Sequence, residues 1–599
     1  MTSMSRRKFC GLMTAGVAMT ASGAWPTEQG PGSLVPAAFS EVPNYFCTFG
    51  WQEHYHPRKL LEKNADKYAR MDKNRLAATM LNEETLLGEN GLAHTLFPEA
   101  RAGVYFLLDD AWDTPIVSPD PYYGSCILNM DKFPSFAGTP AEGLRKLNQA
   151  FKDLGWRGIG LWIACQESPA IMKAEAHKYA DTKNAKEPLY WVERMQWMAE
   201  AGIEYWKVDW GKQCNSVRYR RMLTALAEKY APGLQVEHAN VFAPFNTPLS
   251  RDAAKAAKKE GQSWIFHMLA HEQGRLSPQS LAKFVDLIPV SHVVRLYDVT
   301  AQLGITTMIE RAAQTLAAFG PDKPTDCLLN CEIIPYLGAG LGCCIGIMRH
   351  PRKDVAFHEQ IIKGGREICE NLLGNAASDN DALNGAALFS TRKMLEIVRT
   401  LNWHRIAPPF PVGGHETHLS NTILTDTWDL RTPPSWYSGG FKDVLAQRAP
   451  ATVCRNIAPV SVEACESESK GPRVPYVLAS RHPNGPVAIA TLGRVSPETG
   501  YVNPKVAITA KIENISAPVG LFGAFESVAL KAASINPDVK VWAQDLAEKT
   551  PVDITAKVEL KQGRLTIPGS VAREVCPPFN EFDTSEPGMV IVLREPNDT

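Results

Sequence analysis

Eight short apolar runs alternating with longer amphipathic segments constrain this chain more than any other feature. The runs are NYFCTFGW (44 to 51), VYFLLDDAW (104 to 112), GIGLWIA (158 to 164), IEYWKVDW (203 to 210), LQVEHA (234 to 239), VSHVVRLYD (290 to 298), CLLNCE (327 to 332) and LGCCIGIM (341 to 348). They are six to nine residues long and mostly rich in β-branched and aromatic residues, which favours a strand. Between them lie helical patterns such as PAEGLRKLNQAFKDLG (140 to 155), WVERMQWMAEAG (191 to 202) and YRRMLTALAEKY (219 to 230). Strand, helix, strand repeated eight times predicts an α/β fold, a (β/α)8 TIM barrel over residues 40–430. A doubly wound open sheet has a similar rhythm, but no glycine fingerprint for dinucleotide phosphates follows the first strand.

After about residue 435 the rhythm changes. PYVLASRHPNGPVAIATLGRV (475 to 495), VGLFGAFESVALKA (519 to 532), VKVWAQDLAEKTPVDITAKVELKQGRLTIPG (539 to 569) and MVIVLRE (589 to 595) are alternating runs separated by Asn-Gly, Gly-Arg and Pro turns. This predicts a C-terminal antiparallel β-sandwich over 440–599.

The first residues predict a destination. Arg6 and Arg7 precede a short apolar run rich in Ala, Gly, Thr and Met, and Ser22, Gly23 and Ala24 offer small residues for cleavage before Trp25. Residues 1–24 therefore read as a twin-arginine export signal, placing the mature chain in the periplasm or outside the cell. No later stretch is apolar for long enough to span a bilayer, so no stable membrane insertion is expected after cleavage.

Charge excludes one class of partner. Lys plus Arg number 63 and Asp plus Glu 64, a net charge of −1, which supplies no field for nucleic acid. The 13 cysteines are scattered, apart from Cys343-Cys344, in none of the spacings of a zinc or iron–sulfur site. No cofactor and no metal is expected, and the sequence sets no oligomeric state. Cys165 and Cys214, each following a barrel strand, are the pair to test for a disulfide.

Chemistry concentrates where the strands end, because such ends face the active site of a parallel barrel. In GIEYWKVDWGK, residues 202 to 212, a buried strand ends on Asp209 with Lys207 two residues before it on the same face. Asp209 is the candidate nucleophile; the plain alternative is an ion pair between the two. In LLDDAWD, the adjacent carboxylates Asp109 and Asp110 must split between the two sides of the chain unless the strand bulges. Carboxylates accept from sugar hydroxyls, while Trp51 and Trp112 offer flat apolar faces to a sugar ring. Equally, Asp109 could cap the following segment and Asp110 stay solvated.

These motifs, in this order, resemble the α-galactosidase-like retaining glycoside hydrolases. GIEYWKVDW is similar to their Tyr-x-Lys-x-Asp run, LLDDAWD to their Asp-Asp-x-Trp run, and residues 130–164 to a segment with an Asp, a Phe-Pro, a helix carrying Leu-Gly and a strand ending in Gly-x-Trp at Trp162. The resemblance covers residues 44 to about 350, and a following sandwich suits it. It implies an exported glycosidase in which Asp209 attacks the anomeric carbon and a second carboxyl group serves as acid and base. Asp298 is the choice, with Arg295 shortly before it as in the family, although the interval is one residue shorter than the family's Arg-x-x-x-Asp. Glu237 and Glu332 are the alternatives, and an Arg295–Asp298 pair that only braces the barrel is the plain one. Lys207, Asp109, Asp110, Arg295, Trp51, Trp112, Trp162 and Glu237 are the expected substrate-binding residues, and an oligosaccharide or glycoside the expected substrate. The sugar stays open among α-galactosides, α-N-acetylgalactosaminides, β-L-arabinopyranosides and some glucans. Two other classes stay open as well: a barrel that binds carbohydrate without turnover, and a metal-dependent hydrolase using His238, His267, His271 and His292, although none of these stands in a His-Glu-x-x-His array.

The remaining motifs read as structural. NCEIIPYLGAGLGCCIGIMRHP (330 to 351) is a Gly-rich pair of strands whose glycines permit close packing, and RDAAKAAKKEG (251 to 261) is a solvated basic helix.

Overall fold

The computed structural model describes chiefly residues 32–49, 81–115, 120–179, 187–239, 245–259, 278–296, 301–347, 394–420 and 451–594, with short gaps inside these ranges. The leader at 1–24, Trp51, His267, His271 and Asp298 lie outside the described residues.

Eight parallel strands close a barrel in sequence order: β1 (Asn44–Cys47), β2 (Val104–Leu108), β3 (Gly158–Ile163), β4 (Tyr205–Val208), β5 (Gln235–Ala239), β6 (Val293–Leu296), β7 (Leu328–Glu332) and β8 (Cys344–Ile347), with β8 pairing back onto β1. Successive side chains point to opposite faces, so each strand feeds two layers. Phe46, Phe106, Leu108, Ile159, Leu161, Ile163, Trp206 and Val208 face outward into the layer shared with helices α1 (Pro140–Asp153), α2 (Leu189–Ala201) and α3 (Val217–Tyr230). Tyr45, Cys47, Tyr105, Leu107, Trp162, Tyr205 and Val293 pack together inside the barrel. The Tyr45 ring fits because Gly346 on β8 has no side chain: a Cβ there would lie 2.5 Å from it.

Helix α1 shows why the local sequence folds as it does. Thr139 accepts from the Glu142 backbone N–H while Glu142 returns a bond to the Thr139 N–H, and Pro140 occupies the first turn, where its missing donor costs nothing. Leu144, Leu147 and Phe151, spaced by three and four, then face the barrel. Among the described residues no helix is long and apolar enough to cross a membrane.

One element departs from the expectation. The Gly-rich stretch after β7 is not a strand but a helix, α5 (Pro335–Leu341), following α4 (Ala301–Ala318), and β8 begins only at Cys344. Pro335 starts it, and Gly342, in the left-handed region at φ 64°, ends it. Every residue of α5 is buried, so it lacks the polar face by which a helix is usually recognised.

The C-terminal region holds a sheet of eight strands, in the order 552–553, 540–545, 588–594, 519–522, 487–492, 476–481, 452–455 and 417–419, and one of five, in the order 461–464, 506–511, 527–531, 564–568 and 559–561. The two share a core that includes Val477, Ile489, Val541 and Ile591 from the larger and Ile508, Leu530 and Ile567 from the smaller. Pairing is mostly antiparallel, but three neighbouring pairs, 452–455 with 476–481, 487–492 with 519–522 and 506–511 with 527–531, are parallel. This region is packed firmly on the barrel. Gly340 of α5 approaches so closely that a Cβ would lie 2.8 Å from that of Ala490 and 2.9 Å from that of Leu478. Arg455 donates to the Leu341 carbonyl at 2.9 Å, supplying a free helix-end acceptor with a donor. Arg399 on helix α6 (Met394–Ile406) forms a bidentate pair with Asp545, at 2.7 and 2.6 Å.

Candidate active site

At the C-terminal end of the barrel, the Asp209 N–H donates to the Ile163 carbonyl at 3.1 Å, which holds the residue one step beyond β4. Its Oδ2 accepts from Arg295 Nη2 at 3.0 Å and from Trp162 Nε1 at 3.3 Å. The side chain stays one-fifth exposed while that of Arg295 is 5% exposed, so the carboxylate faces outward from a buried cation. Burial alone would raise the Asp209 pKa. The positive charges of Arg295, Lys207 and Arg220 outweigh it and hold the group below the usual aspartate range. An ionised carboxylate at a partly open position can act as a nucleophile.

Lys207 shares the inward side of β4, yet its direct partner is not Asp209. It donates across the barrel to Asp109 Oδ2 at 2.8 Å, and Cys47 on β1 donates to the same oxygen at 3.0 Å. Both charged side chains are almost fully buried. Burial and the nearby Arg295 work against the Lys207 charge, but Asp109, Cys47 and Glu332 raise its pKa overall. The Asp109 backbone N–H donates to Thr48 Oγ1 at 2.9 Å, and its carboxylate is turned to Lys207 and Cys47 across the barrel rather than to the following segment. The neighbouring Asp110 is half-buried, and the chain then turns through Ala111 at φ 73°. That left-handed residue breaks the strand's alternation.

The turn decides the fate of Trp112. It was expected to present its ring to a sugar, but it is fully buried, with Nε1 donating to the Trp162 carbonyl at 2.8 Å. It braces β3 rather than binding substrate. Trp162 is 2% exposed and reaches the site through its ring nitrogen rather than an open face.

Inside the barrel, Arg295 Nη1 donates to Glu332 Oε1 at 2.8 Å, and Glu237 Oε1 lies 3.8 Å from its Nε. Tyr45 donates to both carboxyls, at 2.9 Å to Glu332 and 3.4 Å to Glu237, and Tyr205 donates to Glu237 Oε2 at 2.7 Å. Glu237 pairs in register with Lys207, below Asp209, and has no exposed surface. The expectation that it touches substrate is therefore corrected: it belongs to a buried layer supporting Arg295. Glu332, also buried, is committed to Arg295 and Tyr45. Neither alternative to Asp298 thus reaches an open surface among the described residues.

Of the four histidines, His238 and His292 are described, and each is engaged in other contacts. His238 bonds Thr224 at 2.9 Å within the helical layer, and His292 bonds the Val236 N–H at 3.1 Å and Glu228 at 3.3 Å. Among the described residues no group of three or more His, Cys, Asp or Glu is placed to hold a metal ion. Cys165 and Cys214 are both free thiols, correcting the suggested disulfide.

Reading the sequence missed the roles of Tyr45, Cys47 and Tyr205. Their inward period of two along β1 and β4 was the available signal.

Comparisons with known proteins can now be set beside this geometry. No family model and no curated protein matches the chain. Solved structures do. A putative α-galactosidase/melibiase from Bacteroides fragilis is 12% identical, covering 92% of this chain and 79% of that one, with a TM-score of 0.32. A β-L-arabinopyranosidase from Geobacillus stearothermophilus in complex with arabinose is 12% identical, covering 93% and 98%, at 0.33. α-Galactosidase I from Mortierella vinacea is 9% identical, covering 93% and 97%, at 0.32. Likeness at this level carries no inference about chemistry, which rests on the site alone.

Proposed function

We propose that this chain is an exported retaining α-glycosidase of the α-galactosidase-like kind, acting on terminal glycosides by double displacement. The observation that carries the reading is Asp209: an ionised, partly exposed carboxylate at a barrel strand's C-terminal end, oriented by Arg295 and Trp162 beside the buried Lys207–Asp109 pair. Asp209 attacks the anomeric carbon, displacing the leaving oxygen, and water then releases the glycosyl group. Asp298 gives the leaving oxygen its proton and later takes one from water. Asp110 accepts from sugar hydroxyls in front of the buried Lys207–Asp109 pair, and Trp51 is assigned to the sugar ring. The twin-arginine leader carries the folded enzyme to the periplasm or beyond.

A panel of nitrophenyl glycosides tests this reading and selects the sugar. One α-glycoside is turned over with retained configuration. Asp209→Ala loses nearly all of that turnover, and azide restores part of it as a glycosyl azide of inverted configuration. Binding without turnover by the parent chain, or an Asp209→Ala variant keeping most of its activity, overturns it.

A further inference from the structure

Arg295 is shared between two levels of the barrel. Nη2 donates outward to Asp209 at 3.0 Å, and Nη1 donates inward to Glu332 at 2.8 Å. Its Nε lies 3.8 Å from a second inner carboxyl, Glu237, which has no exposed surface. How firmly the outer arm stabilises charge on Asp209 therefore depends on how much negative charge stands on the inner side. An added anion there opposes the pull of the cation.

Counting protons shows that Glu237 can leave that side less negative. The Tyr45 oxygen lies 2.9 Å from Glu332 Oε1 and 3.4 Å from Glu237 Oε1, but a tyrosine hydroxyl carries one proton. The shorter contact takes that proton to Glu332. Between Tyr45 and Glu237 two oxygens then remain, a contact that is a hydrogen bond only when the carboxyl brings a proton of its own. Tyr205 donates to Glu237 Oε2 at 2.7 Å, which leaves Oε1 to carry it. Lys207 on β4, Arg295 on β6, Glu332 on β7 and Cys344 on β8 also face this carboxyl. Burial, opposed by Arg295 and reinforced by Glu332, raises its pKa to about 7, so the proton is held in acid and lost in mildly alkaline solution.

The proton on Glu237 bears on one half of the proposed reaction in particular. When the glycosyl-enzyme breaks down, the water oxygen bonds to the anomeric carbon. The bond from that carbon to the Asp209 oxygen breaks, its electron pair returns to Asp209, and the water proton passes to Asp298. Negative charge thus reappears on Asp209, in front of Arg295. With Glu237 neutral, Arg295 shares its charge with one inner anion, Glu332; with Glu237 ionised it shares with both, and the returning charge is less stabilised.

We propose that Glu237, which has no surface for substrate to touch, is a positioning residue for the release of Asp209 from the sugar: its proton, donated to Tyr45, keeps the charge of Arg295 turned to the nucleophile. This deepens the glycosidase reading and rests on it.

A glycosyl fluoride of the sugar selected by the nitrophenyl panel isolates this half on the full chain, because fluoride departs without a proton and leaves breakdown of the intermediate to limit kcat. In the parent, kcat on the fluoride should fall about threefold to tenfold as the pH rises through about 7. Glu237→Gln, which cannot ionise, loses this alkaline limb. Tyr205→Phe keeps the carboxyl and removes a bond that favours its charged form, so the limb moves to higher pH. A parent without the limb, or a limb that stays in place in both variants, overturns the proposal and leaves the glycosidase reading standing. A parent that turns over nothing on the panel fells that reading and the release step with it. A second measurement needs no turnover: carbon-13 spectra of labelled aspartate carboxyls, with Asp209→Asn identifying the Asp209 signal. That signal should step near pH 7 in the parent and not in Glu237→Gln. No step in the parent, or the same step in both proteins, overturns the coupling of the two carboxyls.

Discussion

Replacing Glu237 with Gln should change how the protein's stability depends on pH, in a direction fixed by the buried layer of the barrel. Burial is the main force on this carboxyl, and it raises the pKa from the ordinary 4.5 to about 7. Arg295 opposes that shift, Glu332 adds to it, and the Tyr205 hydrogen bond and Lys207 oppose it again. Tyr45 from β1 and Cys344 from β8 complete the ring of groups facing it. Because the folded value is raised, the folded chain holds the proton more tightly than the unfolded chain. No penalty is present below about pH 4.5; it grows as the pH rises and is complete above about 7. At about 1.4 kcal/mol per pH unit, the full penalty is roughly 3 kcal/mol. Glutamine keeps the shape and cannot ionise. Relative to the parent, Glu237→Gln should therefore gain roughly 3 kcal/mol between pH 4.5 and pH 8, whatever its stability at the acid end. Urea unfolding followed by tryptophan fluorescence across that interval reads this as a midpoint difference widening by on the order of 0.5–1 M. Curves for the two proteins that stay parallel across the interval would refute the argument, because the carboxyl would then ionise as easily in the barrel as in water.

Two other substitutions test buried pairs. Lys207→Met leaves the Asp109 carboxylate buried without its cation and should cost about 3–5 kcal/mol in urea unfolding, whereas adding Asp109→Asn should recover part of that loss. No recovery in the double variant would mean that the pair is not what the lysine contributes. Arg399→Met removes the bidentate contact to Asp545, at side chains 1% and 4% exposed, and should destabilise by a similar 3–5 kcal/mol. Unfolding of barrel and sandwich should remain a single transition; a loss below about 1 kcal/mol would place the junction's strength elsewhere.

The legible parts of this molecule were those where one local rule sufficed. β2, β3 and β4 are buried on both faces, so their apolar runs stood out, and the shared face of Lys207 and Asp209 followed from their two-residue spacing. The helix expected over 140–155 is α1, Pro140–Asp153, whose apolar positions recur every three and four residues. What failed needed the third dimension. Trp112 was misread because Ala111 adopts a left-handed conformation that no residue type announces, and it turns the ring into the protein. Glu237 was read as an open strand end, since alternation tells inside from outside but not depth along the barrel. Helix α5 was mistaken for a strand because a fully buried, glycine-bearing helix has no polar stripe. The partner of Lys207 was invisible too: Asp109 stands 98 residues away in sequence.

Helix α5 also says something about timing. The helix that leads into the last barrel strand has one side against that barrel and the other against Leu478 and Ala490, residues made more than a hundred positions later. During synthesis the ring of strands is complete in sequence by Ile347, but the cover for Gly340 and the arginine for the end of α5 have not yet been made. Contacts of such long range form late and slowly. The chain must therefore pass through a stage in which a finished barrel sequence carries a bare apolar seam, and shortening the protein at its apparent boundary would make that stage permanent.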